Sequence, residues 1–440
     1  MAIQQGEFPL PRYVRETLNK HNIPLPSSLG DGTGVRLLAL QAHNYPDIDM
    51  PFLLNQLTGW LKARTKLPSW AAQEDIIYPP HLSMEQCSSE QTALYKANLL
   101  EELSGSHAPS SSTRFVDLTG GFGVDFSFIA RNFAHATYVE QQEQLCKVAQ
   151  HNFKVLGLSH VEVVNTDSTE YLHQMQPANV IFLDPARRNE QGGKNVLIED
   201  CSPNVLTLEK ELLEKADTIV LKLSPMLDWH RAVNELNVIG NVVREVHILS
   251  VRNECKELLI VMRKVKAMTG ATIALDSPLR VVCVNDGEVV SYYEEDTAGI
   301  LPSILSTLPT AGQYLYEPNA SLMKAGCFAL ISRRYGVSAL SANSHLFVSN
   351  SLIEHFPGRS FRLVAVSSFN KKELRRTLSS IKKANLAVRN FPMSVADLRK
   401  KLKIKEGGTD YLFATTDANN NHLLLLCAKG CGITKGVSHA

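Results

Sequence analysis

Residues 115–140, FVDLTGGFGVDFSFIARNFAHATYVE, decide the fold. An apolar run ends in Asp117 and meets three glycines, Gly120, Gly121 and Gly123; a helical pattern follows, and a second apolar run ends in Glu140. Glycines after a strand let the backbone come close to a ligand, and the N-terminus of the next helix offers unpaired N–H groups to it. The same glycines could also make a plain tight turn from strand to helix. The flanking sequence bears on that choice.

Beyond this stretch, short apolar runs keep alternating with helical patterns. The runs are RFVDL, ATYVE, VEVVN, NVIFLDP and TIVLKLSP, followed by REVHILSV and ELLIVMRK up to about residue 265. Such alternation predicts an α/β fold, a parallel sheet wrapped by helices, with the last two runs as an antiparallel hairpin at the sheet edge. Asp167 in VVNTDSTEYL follows the third run and Asp184 in VIFLDPARR the fourth. With Asp117 and Glu140, these acids would line the crevice outside the carboxyl ends of successive strands.

A dinucleotide site requires Gly-x-Gly-x-x-Gly, and Phe126 stands where the third glycine should fall. The pattern instead resembles motif I of the class I S-adenosylmethionine-dependent methyltransferases, with Asp117 at its acidic start, Thr119 in place of the first glycine, and Gly121 and Gly123 at the other two. The resemblance implies that Glu140 accepts from the ribose hydroxyls and that Asp167 lies against the adenine amino group. It also implies that Asp184, Pro185 and Arg187 lie beside the transferred methyl group and face the acceptor. Upstream, LSMEQCSSEQTALYKANLL resembles the segment that covers the methionine end of the cofactor, with Gln86, Ser89 and Thr92 as polar contacts. A capped amphipathic helix accounts for the same residues.

The DPAR tetrad, Asp184–Arg187, is similar to that of RNA uracil-C5 methyltransferases, which need a cysteine nucleophile at the end of the fifth strand. Here that strand reads IVLKLSPMLDW, with Ser224 and no cysteine, and Cys255 begins a later strand. A serine hydroxyl is hardly ionised at neutral pH, so covalent C5 chemistry is disfavoured. Direct in-line transfer remains, with Asp184 accepting a hydrogen bond from a nitrogen acceptor and Arg187 or Arg188 holding a phosphate or carbonyl oxygen. Ion pairs on the sheet rim are the plainer use of these two arginines. For His81, Tyr95, Trp229 and His230, packing is the simplest reading.

The chain has 440 residues, beyond the size at which one core keeps growing, and roughly two to four domains are expected. Residues 1–105 show mostly helical periodicity, and SGSHAPSSST at 104–113 reads as a linker. Residues 270–355 suggest a small α+β domain: a hairpin around NDGE, a helix around GILPSILSTL, and a polar, strand-rich remainder. From 361 the order is strand FRLVAVSS, basic helix NKKELRRTLSSIKKAN, strand LAVRNF, basic helix SVADLRKKLKIK and a final strand pair, DYLFATT with HLLLLCAKG.

The net charge of +1 conceals an asymmetry. Lys371–Lys405 holds twelve basic residues against Glu373 and Asp397, a local +10, which leaves the rest of the chain at −9 by subtraction. That is the footprint of a polyanion-binding module. The eight cysteines show no Cys-x-x-Cys pair, so reduced thiols and no metal are expected. No leader and no apolar stretch near the roughly 20 residues of a spanning helix is seen, so no membrane association and a cytoplasmic location are expected.

Across its whole length the chain resembles a bacterial family of class I methyltransferases whose Rossmann-like core is followed by a ferredoxin-like and a THUMP-like domain. YLYEPNASLMKAG (314–326) matches the middle domain, and VRNFPMSVADLRKKLKIKEGGTDYLFAT (388–415) the last. The implied division is 1–108 helical, 109–266 methyltransferase, 267–358 ferredoxin-like and 359–440 THUMP-like. The implied activity is S-adenosylmethionine-dependent methylation of a base nitrogen in tRNA or rRNA, with RNA bound through 371–405. A non-enzymatic RNA binder on a degenerate cofactor fold is the alternative, favoured by Thr119 and by the lack of an aromatic in DPARR. An NAD-dependent oxidoreductase ranks behind both.

Overall fold

The computed structural model describes residues 8–24, 33–105, 112–187, 197–263 and 278–429. Two units divide the chain, Met1–Arg244 with Leu258–Ser277, and Glu245–Glu257 with Pro278–Ala440.

The first unit opens with helices, among them α1 (Arg12–Lys20), Thr33–Leu40, α2 (Met50–Lys66) and α3 (Glu90–Leu103). Asp49 caps α2 by accepting from Phe52 N at 3.0 Å, and Ser89 caps α3 by accepting from Thr92 N at 3.3 Å. Both fill donor positions that a helix start leaves open. Ala93, Ala97, Leu100 and Leu103 form the buried stripe of α3. Asn152 then ties this region to the sheet layer, accepting from Ile77 N and donating to Ile77 O, each at 2.9 Å.

Five parallel strands follow: β1 (Arg114–Asp117), β2 (His135–Glu140), β3 (Val161–Asn165), β4 (Ala178–Leu183) and β5 (Ala216–Leu223). Between them run α4 (Val124–Ile129), α5 (Glu143–Val155), α6 (Ser168–Gln174) and α7 (Val205–Lys215), with α8 (Trp229–Leu236) after β5. β6 (Val243–Val251) and β7 (Glu254–Arg263) form the expected hairpin, turning at Arg252 and Asn253, both with positive φ. The order is β3-β2-β1-β4-β5-β7-β6, with β7 antiparallel to β5. Burial on both faces explains why Val180–Leu183 of β4 and Ile219–Leu221 of β5 read as continuous apolar runs. Asp117 stands level with Tyr138 of β2 and Phe182 of β4, so the strand ends form one rim.

In the second unit β6 is not a free edge. β8 (Arg280–Asn285) pairs parallel with it from Glu245 to Ser250, and β9 (Glu288–Tyr293) closes the NDGE hairpin through Asp286 and Gly287 at φ +50° and +88°. The helix expected around GILPSILSTL does not form. Pro302 lacks a donor, and the segment pairs instead as extended chain, with Ala339 N donating to Ser303 O at 2.7 Å and Leu305 N to Ala339 O at 2.8 Å.

A second sheet contains β10 (Tyr314–Pro318), β11 (Phe347–Ser349), β12 (Gly358–Ser368), β13 (Asn385–Arg389), β14 (Asp410–Thr416) and β15 (His422–Lys429). After the short Ser338–Ala339 strand its order is β11-β10-β12-β15-β14-β13. The remainder read as strand-rich also contains α9 (Ala320–Ala325) and α10 (Phe328–Tyr335). Both basic helices are shorter than expected: α12 (Val395–Leu402) ends at Lys403, which has positive φ, and α11 (Lys371–Leu378) stops well before Asn385. A turn follows α11, and Lys405 N donates to Lys382 O at 3.0 Å. Among the described residues no helix is long and apolar enough to cross a membrane.

Candidate functional site

The loop after β1 is clasped by β2. Gly121 N donates to Glu140 Oε2 at 3.0 Å, while the Tyr138 hydroxyl donates to Gly121 O. Gly120 N reaches Val139 O at 2.9 Å and lies so near Tyr138 that a Cβ there would stand 2.2 Å from the ring. Gly121, at φ +54°, has open space on its Cβ side, where the nearest atom is Thr119 O at 3.8 Å. A bare loop with one open, side-chain-free position is the kind of cradle a ligand fills. Phe126, at the position of a third dinucleotide glycine, is instead core, with ring centroids 5.7 Å from Phe115, 5.5 Å from Tyr138 and 4.9 Å from Phe153.

Asp117 is buried, and its Oδ1 accepts from Thr119 N at 3.0 Å. Burial pushes its carboxyl up to about 8, with Asp125 and Asp184 adding to the rise, while the Thr119 N–H and Lys222 oppose it. At neutral pH the group is therefore largely protonated, and a cation placed beside it would favour the ionised form. Glu140 is buried with both oxygens engaged, Oε1 accepting from Gln142 N at 2.8 Å. A carboxylate keeps further lone pairs, so ribose hydroxyls could still donate to it.

Asp167 is exposed and caps α6, its Oδ1 accepting from Thr169 N at 2.8 Å and Glu170 N at 3.3 Å. Thr119 has a use that a glycine lacks: its Oγ1 accepts from Asp184 N at 2.6 Å, tying the loop after β1 to the loop after β4. Pro185 is buried, and the Arg187 backbone pairs with Cys201 in a two-residue bridge. The Arg187 side chain and all of Arg188 lie outside the described residues, as does the His81 side chain.

Sequence reasoning missed the charged cluster beneath Asp184. Lys222 on β5 donates to Asp184 Oδ2 at 2.6 Å and to Asp125 Oδ2 at 3.1 Å. Asp125, in the first turn of α4, also meets Lys96 Nζ at 3.1 Å and accepts from Ser88 Oγ at 2.8 Å. Burial alone would raise the Asp125 carboxyl, but Lys222, Lys96 and Ser88 outweigh it and hold the group below the usual carboxylate range. The signal available beforehand was a lysine inside the apolar run TIVLKLSP.

Other candidates are structural in their contacts. Ser89 and Thr92 hydrogen-bond each other at the start of α3, and Ser224 Oγ accepts from Met226 N at 3.2 Å in the turn leaving β5. Trp229 is buried with His230 stacked on it at 3.6 Å. Cys255 begins β7, and burial raises its thiol. None of the seven described cysteines forms a disulfide, and no group of three or more metal-ligating side chains occurs among the described residues.

In the second unit, α11 and α12 turn Leu374, Leu378, Leu398 and Leu402 to the sheet and keep their basic residues at the surface. Of the twelve basic residues, Arg389 is ion-paired, to Glu317 Oε1 at 2.6 Å. The other eleven form no ion pair among the described residues.

Three family models match the chain: conserved hypothetical protein 95 over residues 96–240, a ferredoxin-like domain over 314–357 and a THUMP domain-like region over 358–429. A solved structure from Porphyromonas gingivalis W83, designated a methyltransferase by inference, is 30% identical, covering 90% of this chain and 97% of that one at a TM-score of 0.74. An rRNA methylase from Streptococcus thermophilus is 16% identical over 39% of this chain and 95% of its own, at 0.29. A Streptococcus mutans protein, also designated a methyltransferase by inference and bound to S-adenosylhomocysteine, is 14% identical over 38% and 97%, again at 0.29. No curated protein matches this chain.

Proposed function

The chain belongs to a bacterial family of class I S-adenosylmethionine-dependent methyltransferases that carry a ferredoxin-like and a THUMP-like domain, and from that premise we propose that it methylates RNA at a base nitrogen by direct in-line transfer. The observation that carries this reading is the convergence of Asp117, the open Gly121 position, Glu140 and Asp184 at the carboxyl ends of adjacent parallel strands.

When bound, S-adenosylmethionine supplies a methyl group on a sulfonium, already a good leaving group. The protein's task is then mainly to position the acceptor. Asp117, Thr119, Gly121, Gly123, Glu140 and Asp167 form the cofactor side, with Glu140 at the ribose and Asp167 at the adenine. On the acceptor side, Asp184 accepts a hydrogen bond from the target nitrogen and takes the proton lost as the N–C bond forms. Pro185 shapes the loop, and Arg187 holds a phosphate or carbonyl oxygen.

RNA as acceptor is supported by the eleven basic residues from Lys371 to Lys405 that have no ion-pair partner among the described residues, carried by the THUMP-like region. Calorimetric titration with S-adenosylhomocysteine, repeated with NAD, tests the cofactor assignment. Binding of the first alone is expected; binding of NAD alone, or of neither, would overturn it.

A further inference from the structure

Lys222 occupies a position that packing alone would give to an aliphatic residue. Its neighbours Val220, Leu221 and Leu223 are buried, and its own side chain is 12% exposed. Burying an ammonium is costly unless it is paired, and replacing a buried ion pair by apolar groups is often neutral or stabilising. Stability therefore gives little reason for a lysine here.

Its pairing suggests another reason. Asp125 already has Lys96, whose side chain is fully buried, and Ser88. The second arm of Lys222 reaches Asp184, whose side chain is 43% exposed and could be solvated without help. Lys96, Asp125, Lys222 and Asp184 form a chain of two ammonium and two carboxylate groups with no net charge. One end is Lys96 on α3, the next member Asp125 lies in α4 two residues after Gly123, and the other end is the carboxylate of the DPAR tetrad.

We propose that Lys222 is a positioning residue that fixes the rotation of the Asp184 carboxylate and couples it to the glycine loop through Asp125. This rests on the methyl-transfer reading above. The terminal torsion of an aspartate is soft, and a hydrogen bond at 2.6 Å from a residue anchored in a strand removes that freedom. With Oδ2 taken by Lys222 and the Asp184 N–H taken by Thr119, Oδ1 is left for the acceptor nitrogen. The carboxylate is then held at both its backbone and its side chain before any acceptor arrives.

The test compares wild type, Lys222→Met and Lys222→Arg, with Lys222→Gln standing in for Lys222→Met should that variant fail to fold. Three quantities are read: affinity for S-adenosylhomocysteine, single-turnover methyl transfer to RNA from cells lacking the protein, and the carboxyl 13C resonance of Asp184, assigned through Asp184→Asn. In K222M the transfer rate should fall about ten- to a hundredfold, the scale of a misplaced reacting group. Cofactor affinity should hold within about threefold, since Lys222 is assigned no contact with that ligand. The Asp184 resonance should move in K222M, and K222R should restore both rate and resonance in part. An unchanged rate, or an unmoved resonance, would overturn the assignment. If wild type transfers no methyl group to RNA while the Asp184 resonance moves in K222M, the RNA reading fails and the tie between Lys222 and Asp184 stands.

Discussion

The hydroxyl of Thr119 accepts a hydrogen bond from the backbone N–H of Asp184 at 2.6 Å. The residue standing where motif I has its first glycine thus joins the cofactor-side loop to the acceptor-side loop. A departure that favoured a degenerate fold becomes a built connection. Thr119→Val should cost about 1 kcal/mol of stability, the usual worth of such a bond. Thr119→Ser, which keeps the acceptor oxygen, should restore most of it. Thermal unfolding of the two variants checks this.

Gly120 and Gly121 should separate folding from binding. Gly120→Ala drives a methyl group into the Tyr138 ring and should destabilise by about 1–3 kcal/mol, as overpacking does. Gly121→Ala meets no neighbour and bears chiefly the left-handed backbone cost, about 1–2 kcal/mol. Its new methyl group would occupy the open side of the loop, so affinity for S-adenosylhomocysteine should fall about tenfold or more, about 1.4 kcal/mol. Calorimetry alongside unfolding distinguishes the two cases.

Asp117 should leave a signature in the pH dependence of stability. Its folded value, pushed up to about 8, lies above the ordinary carboxylate value of 3.8, so between these limits the folded state binds more protons than the unfolded state. Its contribution to stability therefore falls as pH rises from about 4 to about 8 and is flat above. Asp117→Asn lacks the titrating group. The difference in unfolding free energy, variant minus wild type, should grow across that window, and a difference independent of pH would contradict the assignment.

The lysines that converge after α11 and α12 should carry phosphate contacts. Lys383 and Lys405 occupy facing positions of a bridge, and Lys382 and Lys403 adjoin it. Replacing these four by alanine should weaken RNA binding and reduce the slope of log K against log salt by about 3, at about 0.7 per single-strand phosphate contact. Unfolding curves should change little, because all four side chains are exposed.

The rim of acids is legible in the sequence because Asp117, Glu140 and Asp184 each follow an apolar run, and strand order places such run-ends together. Lys96 and Asp125 are not legible. Each sits among helical letters where a charge ordinarily marks the solvated face, and only the tertiary fold turns both inward to meet Lys222. The missing helix at GILPSILSTL is a related failure. Its aliphatic spacing suits a helix, yet Pro302 and the pairing with Ala339 win, and Leu301 is left 86% exposed. The β6–β7 hairpin and the NDGE hairpin are both visible in the sequence, but the pairing of β8 with β6 is not, since it joins strands across a long sequence gap.

The most direct test of the account is transfer of a tritium-labelled methyl group from S-adenosylmethionine to RNA taken from cells lacking the protein, against RNA from cells that have it. Label is expected in the first RNA only, recovered after digestion in one N-methylated nucleoside and abolished by Asp184→Ala with S-adenosylhomocysteine binding intact. Equal labelling of both RNAs, label on a carbon atom, or no transfer by a protein that binds the cofactor would contradict it.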